Sequence, residues 1–506
     1  MKRLFFLLWM AFLFASCGQK PAEKTSSESG KRPNIIFIIG DDVGCYDLGC
    51  YGNEGIQTPN IDRLSIEGLH FDNAFLTISS CSPSRVSIIT GRYPHNTGAC
   101  ELHSPLLANQ VLFPEILKAH GYYTAQAGKW HFGSTAYGDP EKIHKGDYKA
   151  LGPAVRAFDR FSVLKEDNGD GGEEMWLRIM RERPKDKPFF VWFASSDSHR
   201  PWGADSFQVQ NQPGNVWVPP FLYDGPLTRH DLTSYYNEIS RLDYYVGQVE
   251  KELQRQGIAG NTILVFTSDN GRPFPRCKTR VYDSGLKTPL LIKWPGHIKP
   301  GQKTEALVSI IDLAPTLLQL AGIQPGPTFQ GKSFTTLFSH PEKEFRHYIF
   351  SEHNWHDYEA YERQVRTKKF MYILNKRPQF DSWGPADAVA SPSMKEIYAA
   401  YRQHKTNCCQ EDIFVKPRPK EEFFEVVKDP MQFFNLAEKP EFQKQKNALK
   451  KVLAQWQQET GDTEPKHLTP DNFDRKTGKR MFRGFHRGEM PGKAKGADTI
   501  TRPGPF

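Results

Sequence analysis

Two pairs of oxygen-bearing side chains follow apolar runs of the sequence, and their chemistry indicates a metal site. Asp41 and Asp42 come shortly after the run NIIFII, and Asp269 and Asn270 come shortly after the run TILVFT. Each run is apolar and β-branched, which predicts a strand buried on both faces. The carboxyl ends of parallel strands meet at one edge of a sheet, where α/β proteins bind ligands. Because adjacent carboxylates repel each other, we expect a hard cation there, Ca²⁺ ahead of Mg²⁺.

Cys81 lies between these pairs in the chain, in the pentapeptide Cys-Ser-Pro-Ser-Arg that ends at Arg85. A cysteine at a helix start, with an arginine one turn later, could be a thiolate nucleophile of low pKa. A buried structural cysteine in a turn is the plainer interpretation. The pentapeptide and the downstream Thr90-Gly91-Arg92 together resemble the signature of type I, formylglycine-dependent sulfatases of the alkaline phosphatase superfamily. The resemblance implies that Cys81 is oxidised to formylglycine by a maturation enzyme, which would be a partner of this chain.

Further segments of the family pattern follow in order, and the resemblance covers about residues 32–460. GKWHFG contains Lys129 and His131, SHRP contains His199, and Lys278 stands where the family has a Lys or Arg. The resemblance implies a role for each residue. The implied roles are calcium binding by Asp41, Asp42, Cys81, Asp269 and Asn270, orientation of the formylglycine oxygens by Arg85 and Lys129, sulfate elimination by His131, and sulfate binding with protonation of the leaving atom by His199 and Lys278.

Within this family the sequence is most similar to the sulfamidases, the N-sulfoglucosamine sulfohydrolases. The likeness rests on residues 79–85 with Leu102-His103 downstream, on FTSDNGRPFP at 266–275 and on LAQWQQET at 453–460. Two departures stand against it: sulfamidases carry Arg in place of Lys278, and the C-terminal tail has no counterpart. The likeness implies a sulfated saccharide substrate, the N-sulfate of glucosamine in heparin or heparan sulfate fragments. Five further residues are candidates for contacting the sugar, and each could equally be an ordinary surface or core residue. They are His103, Arg272, His353, His356 and Trp202.

Three other functions remain open at this point. An exo-acting O-sulfatase for a hexosamine or galactose sulfate is the first alternative, and a phosphonate or phosphate monoester hydrolase on the same scaffold is the second. From a different class of protein, a catalytically silent glycan-binding lipoprotein is the third. The intact pentapeptide at Cys81 argues against the silent protein. Nucleic-acid binding is not expected, because the sequence contains no recognition motif for it.

The elements that must position these residues alternate between strands and helices. We predict strands at 34–39, 123–127, 189–194 and 262–267, and helices at 58–67, 231–256, 310–320 and 441–459. This alternation predicts an α/β fold with a large mixed, mostly parallel sheet flanked by helices, like that of alkaline phosphatase. Shorter apolar runs after about residue 339 predict a smaller C-terminal α+β subdomain. The predicted catalytic sulfatase domain is therefore 32–339, the C-terminal subdomain 340–465, and the basic extension 466–506.

The N-terminus predicts export. Lys2 and Arg3 precede an apolar run too short to span a membrane, and small residues then lead to Cys17, as in a bacterial lipoprotein signal peptide over 1–17. Cys17 would be lipidated and residues 18–31 would form a polar tether. We therefore expect an exported bacterial lipoprotein, periplasmic or on the cell surface, held to the membrane by its lipid anchor only.

The chain of 506 residues has a net charge of +8, which invites an anionic partner. That charge is unevenly distributed, because the segment from Lys466 onward has ten Lys or Arg against four Asp or Glu. The predicted folded body, 32–465, is close to neutral. Selectivity for an anion must therefore come from a few placed cations. The basic extension either contacts a polyanionic glycan or membrane or is a solvated extension.

Overall fold

The computed structural model describes residues 32–169, 171–202, 210–482, 484 and 486–506. The predicted signal peptide, its Cys17 and the tether lie outside the described residues. Residues 32–506 form one compact unit. No helix among the described residues combines the length and the apolar character needed to cross a membrane.

The described residues of this unit contain fourteen strands and thirteen α-helices. The strands are β1 Asn34–Gly40, β2 Leu69–Phe71, β3 Ala74–Phe75, β4 Tyr123–Gly128, β5 Arg160–Ser162, β6 Phe189–Ala194, β7 Thr262–Ser268, β8 Leu290–Lys293, β9 Gln302–Thr304, β10 Val308–Ser309, β11 Ile349–His353, β12 Glu362–Arg366, β13 Phe370–Asn375 and β14 Glu421–Glu425. The helices are α1 Pro59–Glu67, α2 Cys81–Thr90, α3 Phe113–Ala119, α4 Pro140–His144, α5 Lys165–Asn168, α6 Glu174–Glu182, α7 Pro226–Arg255, α8 Asp283–Leu286, α9 Leu313–Leu320, α10 Ala386–Val389, α11 Pro392–Arg402, α12 Cys408–Glu411 and α13 Gln443–Thr460.

An eight-stranded sheet with the order β5-β4-β6-β1-β7-β8-β2-β9 forms the centre of the molecule. Its strands pair in parallel except where β8 runs antiparallel to β7 and β2. Alternate residues of β1 enter two different apolar clusters, Ile35 and Phe37 on one face and Ile36 and Ile38 on the other. Both faces of the sheet are therefore covered, as the continuous apolar run of β1 predicts. The predicted fold class is confirmed.

The C-terminal part contains the antiparallel sheet β11-β12-β13-β14, against which α13 packs. Trp456 of α13 is fully buried and stacks on Phe350 of β11, with ring centroids 5.1 Å apart. This matches the predicted α+β character of the region. The helix predicted from residue 231 begins earlier, at Pro226, whose fixed φ and missing N–H suit the first turn.

The end of the chain packs against the body instead of forming a solvated extension. Backbone carbonyls of the tail accept hydrogen bonds from Arg92 and Asn96, through Ile500 at 2.6 Å and Ala497 at 2.7 Å. Ala497 itself is fully buried. The solvated alternative for the basic extension is therefore wrong, because backbone carbonyls, the buried Ala497 and the charge of Arg487, which pairs with Glu101 at 3.1 Å, dock it.

Candidate active site

The two predicted metal-binding pairs lie side by side. Strands β1 and β7 are parallel neighbours with Gly40 opposite Ser268, so the residues that follow emerge at one sheet edge. Asp41, Asp42, Asp269 and Asn270 are each at most 1% exposed. The Asp42 N–H donates to Asp269 Oδ1 at 3.1 Å. The two pairs, which are far apart in the sequence, thus form one cluster of oxygen-bearing side chains.

Cys81 completes this cluster from the start of α2. Its Sγ lies 3.6 Å from Asp41 Oδ1 and 3.8 Å from Asp42 Oδ1. One ligand atom from each of Asp41, Asp42, Cys81 and Asp269 falls within 4.8 Å of the others. The amide oxygen of Asn270 is buried and has no hydrogen-bond partner among the described residues, while its Nδ2 donates to Asp42. Buried oxygen donors of this kind, one of them unpartnered, fit a hard divalent cation such as Ca²⁺.

Three buried cations surround the carboxylates. Lys129 Nζ donates to Asp41, Lys278 Nζ lies 2.8 Å from Asp42 Oδ1, and Arg85 Nε donates to Asp269 Oδ2 at 2.8 Å. Both terminal nitrogens of Arg85 are buried without a hydrogen-bond partner among the described residues. Three carboxylates and three cations balance in charge, so a divalent cation would leave the site positive and ready for an anion.

The backbone at the site is shaped for close approach. Gly128, which ends β4 before Lys129, has φ +88°, and a Cβ there would lie 1.9 Å from the Ala194 carbonyl oxygen. Only glycine fits this position. Asp42 and His131 also have positive φ, 63° and 45°, a conformation that non-glycine residues rarely adopt and that concentrates at functional sites.

Burial and charge shift the pKa values in opposite directions. Burial raises the pKa of Asp41, but the cations around it, Lys129 first, outweigh burial and hold that pKa well below its usual value. Burial, followed by repulsion from Asp41, raises the pKa of Asp269 to about 7. Burial also raises the pKa of the Cys81 thiol well above its usual value, and the residue is 1% exposed. The alternative of a low-pKa thiolate is therefore wrong, because burial outweighs the neighbouring cations.

The histidines lie around the cluster. His131 Nε2 is 3.0 Å from His103 Nδ1, and His131 Nδ1 is buried with no hydrogen-bond partner among the described residues. His199 Nδ1 lies 2.6 Å from the Arg200 carbonyl oxygen, and His356 Nδ1 lies 2.7 Å from Ser80 Oγ. Burial lowers the pKa of His131, His199 and His356, and lowers that of His103 to about 4. All four are consequently neutral near pH 7 before an anion binds.

A cavity of about 660 Å³ opens over these groups, large enough for a small saccharide. The predicted site residues that line it are Asp41, Cys81, Lys129, His131, His199, Lys278, His103, His356 and Trp202. Its other lining residues, which the sequence analysis missed, include Tyr137, Arg241, Asp357, Asp387 and Phe473. Asp357 directly follows His356 and could have been found from that neighbour, whereas Asp387 and Phe473 belong to no motif.

Two of the predicted sugar contacts lie elsewhere. Arg272 is 4% exposed and its NH2 pairs with the buried Asp47 at 2.5 Å, outside the cavity. His353 lines a separate small cavity behind His356, and burial lowers its pKa to about 3. Arg272 is committed to its ion pair, and His353 is not among the residues that line the large cavity.

The seven cysteines of the described residues are all free. Cys45 and Cys50 are close in sequence, and burial raises the pKa of both thiols. Thiols held neutral by burial are poor nucleophiles and poor metal ligands.

Comparison with known proteins agrees with this geometry. The sulfatase family model matches residues 33–323, and the model of the N-sulphoglucosamine sulphohydrolase C-terminal region matches residues 277–413. N-sulphoglucosamine sulphohydrolase of Homo sapiens is 30% identical over 85% of this chain and 91% of its own length. An ulvan-active sulfatase of Formosa agariphila is 29% identical over 91% of this chain and 82% of its own length. A solved structure of a protein with its substrate D-glucosamine-2-N,6-O-disulfate superposes with a TM-score of 0.63 at 21% identity, over 85% of this chain and 98% of that one, which shows the shared fold. The chain belongs to the sulfatase family and is a hydrolase of sulfuric esters with sulfamidase-like sequence features.

Proposed function

We propose that this sulfatase removes the N-sulfate of glucosamine in heparin or heparan sulfate fragments, with Ca²⁺ and with formylglycine made from Cys81. One observation carries the choice of substrate. The residues 277–413, which match the N-sulphoglucosamine sulphohydrolase C-terminal model, supply one wall of the cavity, including Lys278, His356, Asp357 and Asp387. The part of the chain that resembles a sulfamidase is therefore the part that would contact the sugar.

In the proposed mechanism the sulfate binds at the floor of the cavity, which is formed by the metal cluster, Cys81 and the cations around them. The oxidised residue 81 would supply an oxygen nucleophile, and a divalent cation held by Asp41, Asp42, Asp269 and Asn270 would neutralise charge on the sulfuryl group. Lys129 and Arg85, both buried against these carboxylates, hold fixed positive charge beside position 81. Fixed, dehydrated charges of this kind stabilise a transition state without reorganising.

Lys278 and His199 act on the other side of the sulfate in this proposal. Lys278 is 1% exposed and adds a fixed positive charge that binds sulfate oxygens. His199 is neutral in the empty cavity because burial, Lys278 and Lys129 lower its pKa. A bound sulfate brings negative charge next to the ring, which favours the protonated form and lets His199 donate a proton to the leaving atom. His131, oriented by its 3.0 Å contact with His103, would accept a proton when sulfate is eliminated.

Sulfate release from defined monosaccharides tests the substrate. The mature enzyme is incubated with glucosamine N-sulfate, glucosamine 6-O-sulfate and galactose 6-O-sulfate, and free sulfate is measured by ion chromatography, with Cys81→Ala as the inactive control. We expect release from the N-sulfate. Release from the O-sulfates alone would refute the N-sulfate substrate while leaving the sulfatase activity intact.

An exo-acting O-sulfatase is the second candidate function, and similarity to an N-acetylgalactosamine-6-sulfatase, 29% identical over 59% of this chain, supports removal of an O-sulfate. The same assay decides between the two. Peptide mass spectrometry of the mature protein tests formylglycine independently, since an unmodified Cys81 in active enzyme would refute that part of the proposal.

We also propose export and anchoring through lipidated Cys17, as the N-terminal sequence predicts. The wild-type protein should then fractionate with membranes, and Cys17→Ala should be soluble. Equal membrane binding of both would refute the anchor.

A further inference from the structure

The carboxylate of Asp387 faces the cavity in which the sulfate would bind. A negative charge is unexpected there, because it repels an anionic ligand. Asp387 lies in α10 and lines the cavity. One of its carboxylate oxygens lies within 4.8 Å of ligand atoms of both His199 and Asp42. Its Oδ1 accepts the Ala388 N–H at 2.7 Å, which fixes the side chain at the start of this short helix. A negative charge therefore faces the same side of the cavity as His199.

Asp357 lies beside Asp387 on the same wall. Its Oδ2 accepts the Ala386 N–H at 3.0 Å, so both side chains are tied to the first turn of α10. Burial, with a smaller contribution from repulsion by Asp387, raises the pKa of Asp357 to about 7. Of the two, Asp387 has a carboxylate oxygen within 4.8 Å of a ligand atom of His199. Of the cations that line the cavity, Lys129 and Lys278 pair with carboxylates of the metal cluster, and Arg200 and Arg241 pair with Asp231 and Asp197.

A carboxylate in this place repels a sulfate and attracts Lys278, whose pKa it helps to raise. It also favours a substrate that carries positive charge next to the sulfate. A sulfate ester leaves an alcohol, whose oxygen becomes negative as the bond breaks. A sulfamate instead leaves an amine, whose nitrogen is basic. The charge next to the leaving atom therefore differs in sign between the two substrates, and a carboxylate beside that atom favours the sulfamate.

We propose that Asp387 is the residue that selects an N-sulfate, by contacting the glucosamine nitrogen as it becomes cationic. This inference rests on the proposed function. His199 donates a proton to the nitrogen of R–NH–SO₃⁻, the S–N bond then breaks with its electron pair remaining on nitrogen, and sulfur accepts the incoming oxygen nucleophile. The departing R–NH₂ takes one further proton from solvent and becomes R–NH₃⁺. Asp387 stabilises the positive nitrogen both in the transition state and in the product.

A simpler role for Asp387 would be to accept a hydrogen bond from a sugar hydroxyl. The two roles differ in what they distinguish. A hydroxyl acceptor treats glucosamine and N-acetylglucosamine alike, because their hydroxyls are the same. An ammonium-binding carboxylate distinguishes them, because only glucosamine has a basic nitrogen.

Calorimetric binding of glucosamine and N-acetylglucosamine to the mature, calcium-loaded enzyme tests the proposal. Asp387→Asn keeps an oxygen that can accept the Ala388 N–H, so α10 should stay formed. The matched control is Asp381→Asn, which removes a carboxylate from the same segment of the chain. The Asp381 carboxylate pairs with the half-exposed Lys416 at 3.1 Å, and Asp381 does not line the large cavity.

We expect Asp387→Asn to weaken glucosamine binding by about tenfold or more, the size of one charge-assisted hydrogen bond. N-acetylglucosamine binding should change by less than about twofold, and Asp381→Asn should change neither. Equal weakening of both sugars, unchanged glucosamine binding, or no glucosamine binding by the wild type would overturn the proposal.

A second measurement separates this inference from the proposed function. In sulfate release, Asp387→Asn should lower kcat/KM for glucosamine N-sulfate by about tenfold or more and leave glucosamine 6-O-sulfate within about twofold. A wild type that releases only O-sulfate refutes the proposed function, while the calorimetry still reports on glucosamine binding by Asp387. A wild type that releases N-sulfate, with a variant that loses both activities equally, refutes the role of Asp387 alone.

Discussion

Replacing Lys278 with methionine removes one charge from the balanced cluster at the cavity floor. Methionine keeps the unbranched apolar stem and loses only the ammonium group. In the wild type that group lies 2.8 Å from both oxygens of Asp42, and the residue is 1% exposed. The change therefore leaves a buried carboxylate without its cation and takes one positive charge away from the sulfate.

Two magnitudes follow from this geometry. Deleting one preorganised stabilising group from a dehydrated site costs about 2.7–4 kcal/mol of transition-state stabilisation, a loss in kcat/KM of about 100- to 1,000-fold. Breaking a buried ion pair destabilises a fold by about 3–5 kcal/mol. For a chain of this size we expect the Tm to fall by about 3–5 °C. Saturating Ca²⁺ should recover part of the Tm, because the cation takes over Asp42, but it should not recover the activity.

The assay is steady-state sulfate release together with thermal unfolding, each with and without Ca²⁺. Lys278→Arg restores the positive charge and should stay within about tenfold of the wild-type kcat/KM. Lys303→Met, at an exposed position of β9, controls for the substitution itself. If Lys278→Met keeps more than about a tenth of the wild-type kcat/KM, Lys278 does not bind the sulfate and the assignment of the cavity floor is wrong.

Four further predictions use the same molecule. Chelation of divalent cations should lower the Tm. Ca²⁺ should restore the Tm at a lower concentration than Mg²⁺, because the donors are a buried set of carboxylate and amide oxygens. Restoration by both ions at the same concentration would contradict the Ca²⁺ site. Arg363→Met should destabilise the fold by about 3–5 kcal/mol, because Arg363 is fully buried and donates to Asp462 at 2.7 and 2.8 Å. The control is Arg178→Met, at an exposed ion pair, which should change the free energy of unfolding by less than about 1 kcal/mol. Burial raises the pKa of Asp462, but attraction to Arg363 outweighs burial and holds that pKa below its usual value. The ion pair therefore stabilises the fold above about pH 4, and the Tm difference between wild type and Arg363→Met should shrink as the pH falls below that value. A constant difference would refute this pH dependence. Trp202→Ala should raise the KM for the saccharide by about five- to twentyfold with kcat nearly unchanged, because Trp202 lines the cavity and has no assigned part in the reaction. An unchanged KM would exclude stacking on the sugar.

Much of the central sheet could be predicted because its strands are apolar on both faces. The runs at 34–39, 189–194 and 262–267 agree with β1, β6 and β7 to within one residue. Thr58-Pro59 correctly marks the start of α1, where proline occupies the first helical position. Since residues that follow neighbouring parallel strands must meet, the convergence of Asp42 and Asp269 could also be predicted from the sequence.

Other parts were hidden because their interactions are not local. Strand β12 has the sequence ERQVR, which carries no apolar alternation, yet all five residues are buried. Arg363 is tolerated there because it pairs with Asp462, 99 residues away. Asp387 likewise reaches the cavity only through the docking of α10 in the C-terminal part, and no local pattern indicates that docking.

The docked tail also has a consequence for when the protein can be matured. Tyr93 donates to the carbonyl of Pro503 at 3.3 Å, although the two residues are 410 positions apart. Arg92 and Asn96, close behind α2, likewise take their acceptors from the last ten residues. These contacts of Arg92, Tyr93 and Asn96 can therefore form only after residues 497–503 have been synthesised. The proposed oxidation of Cys81, which is 1% exposed in the folded protein, therefore has the interval before this docking in which to occur.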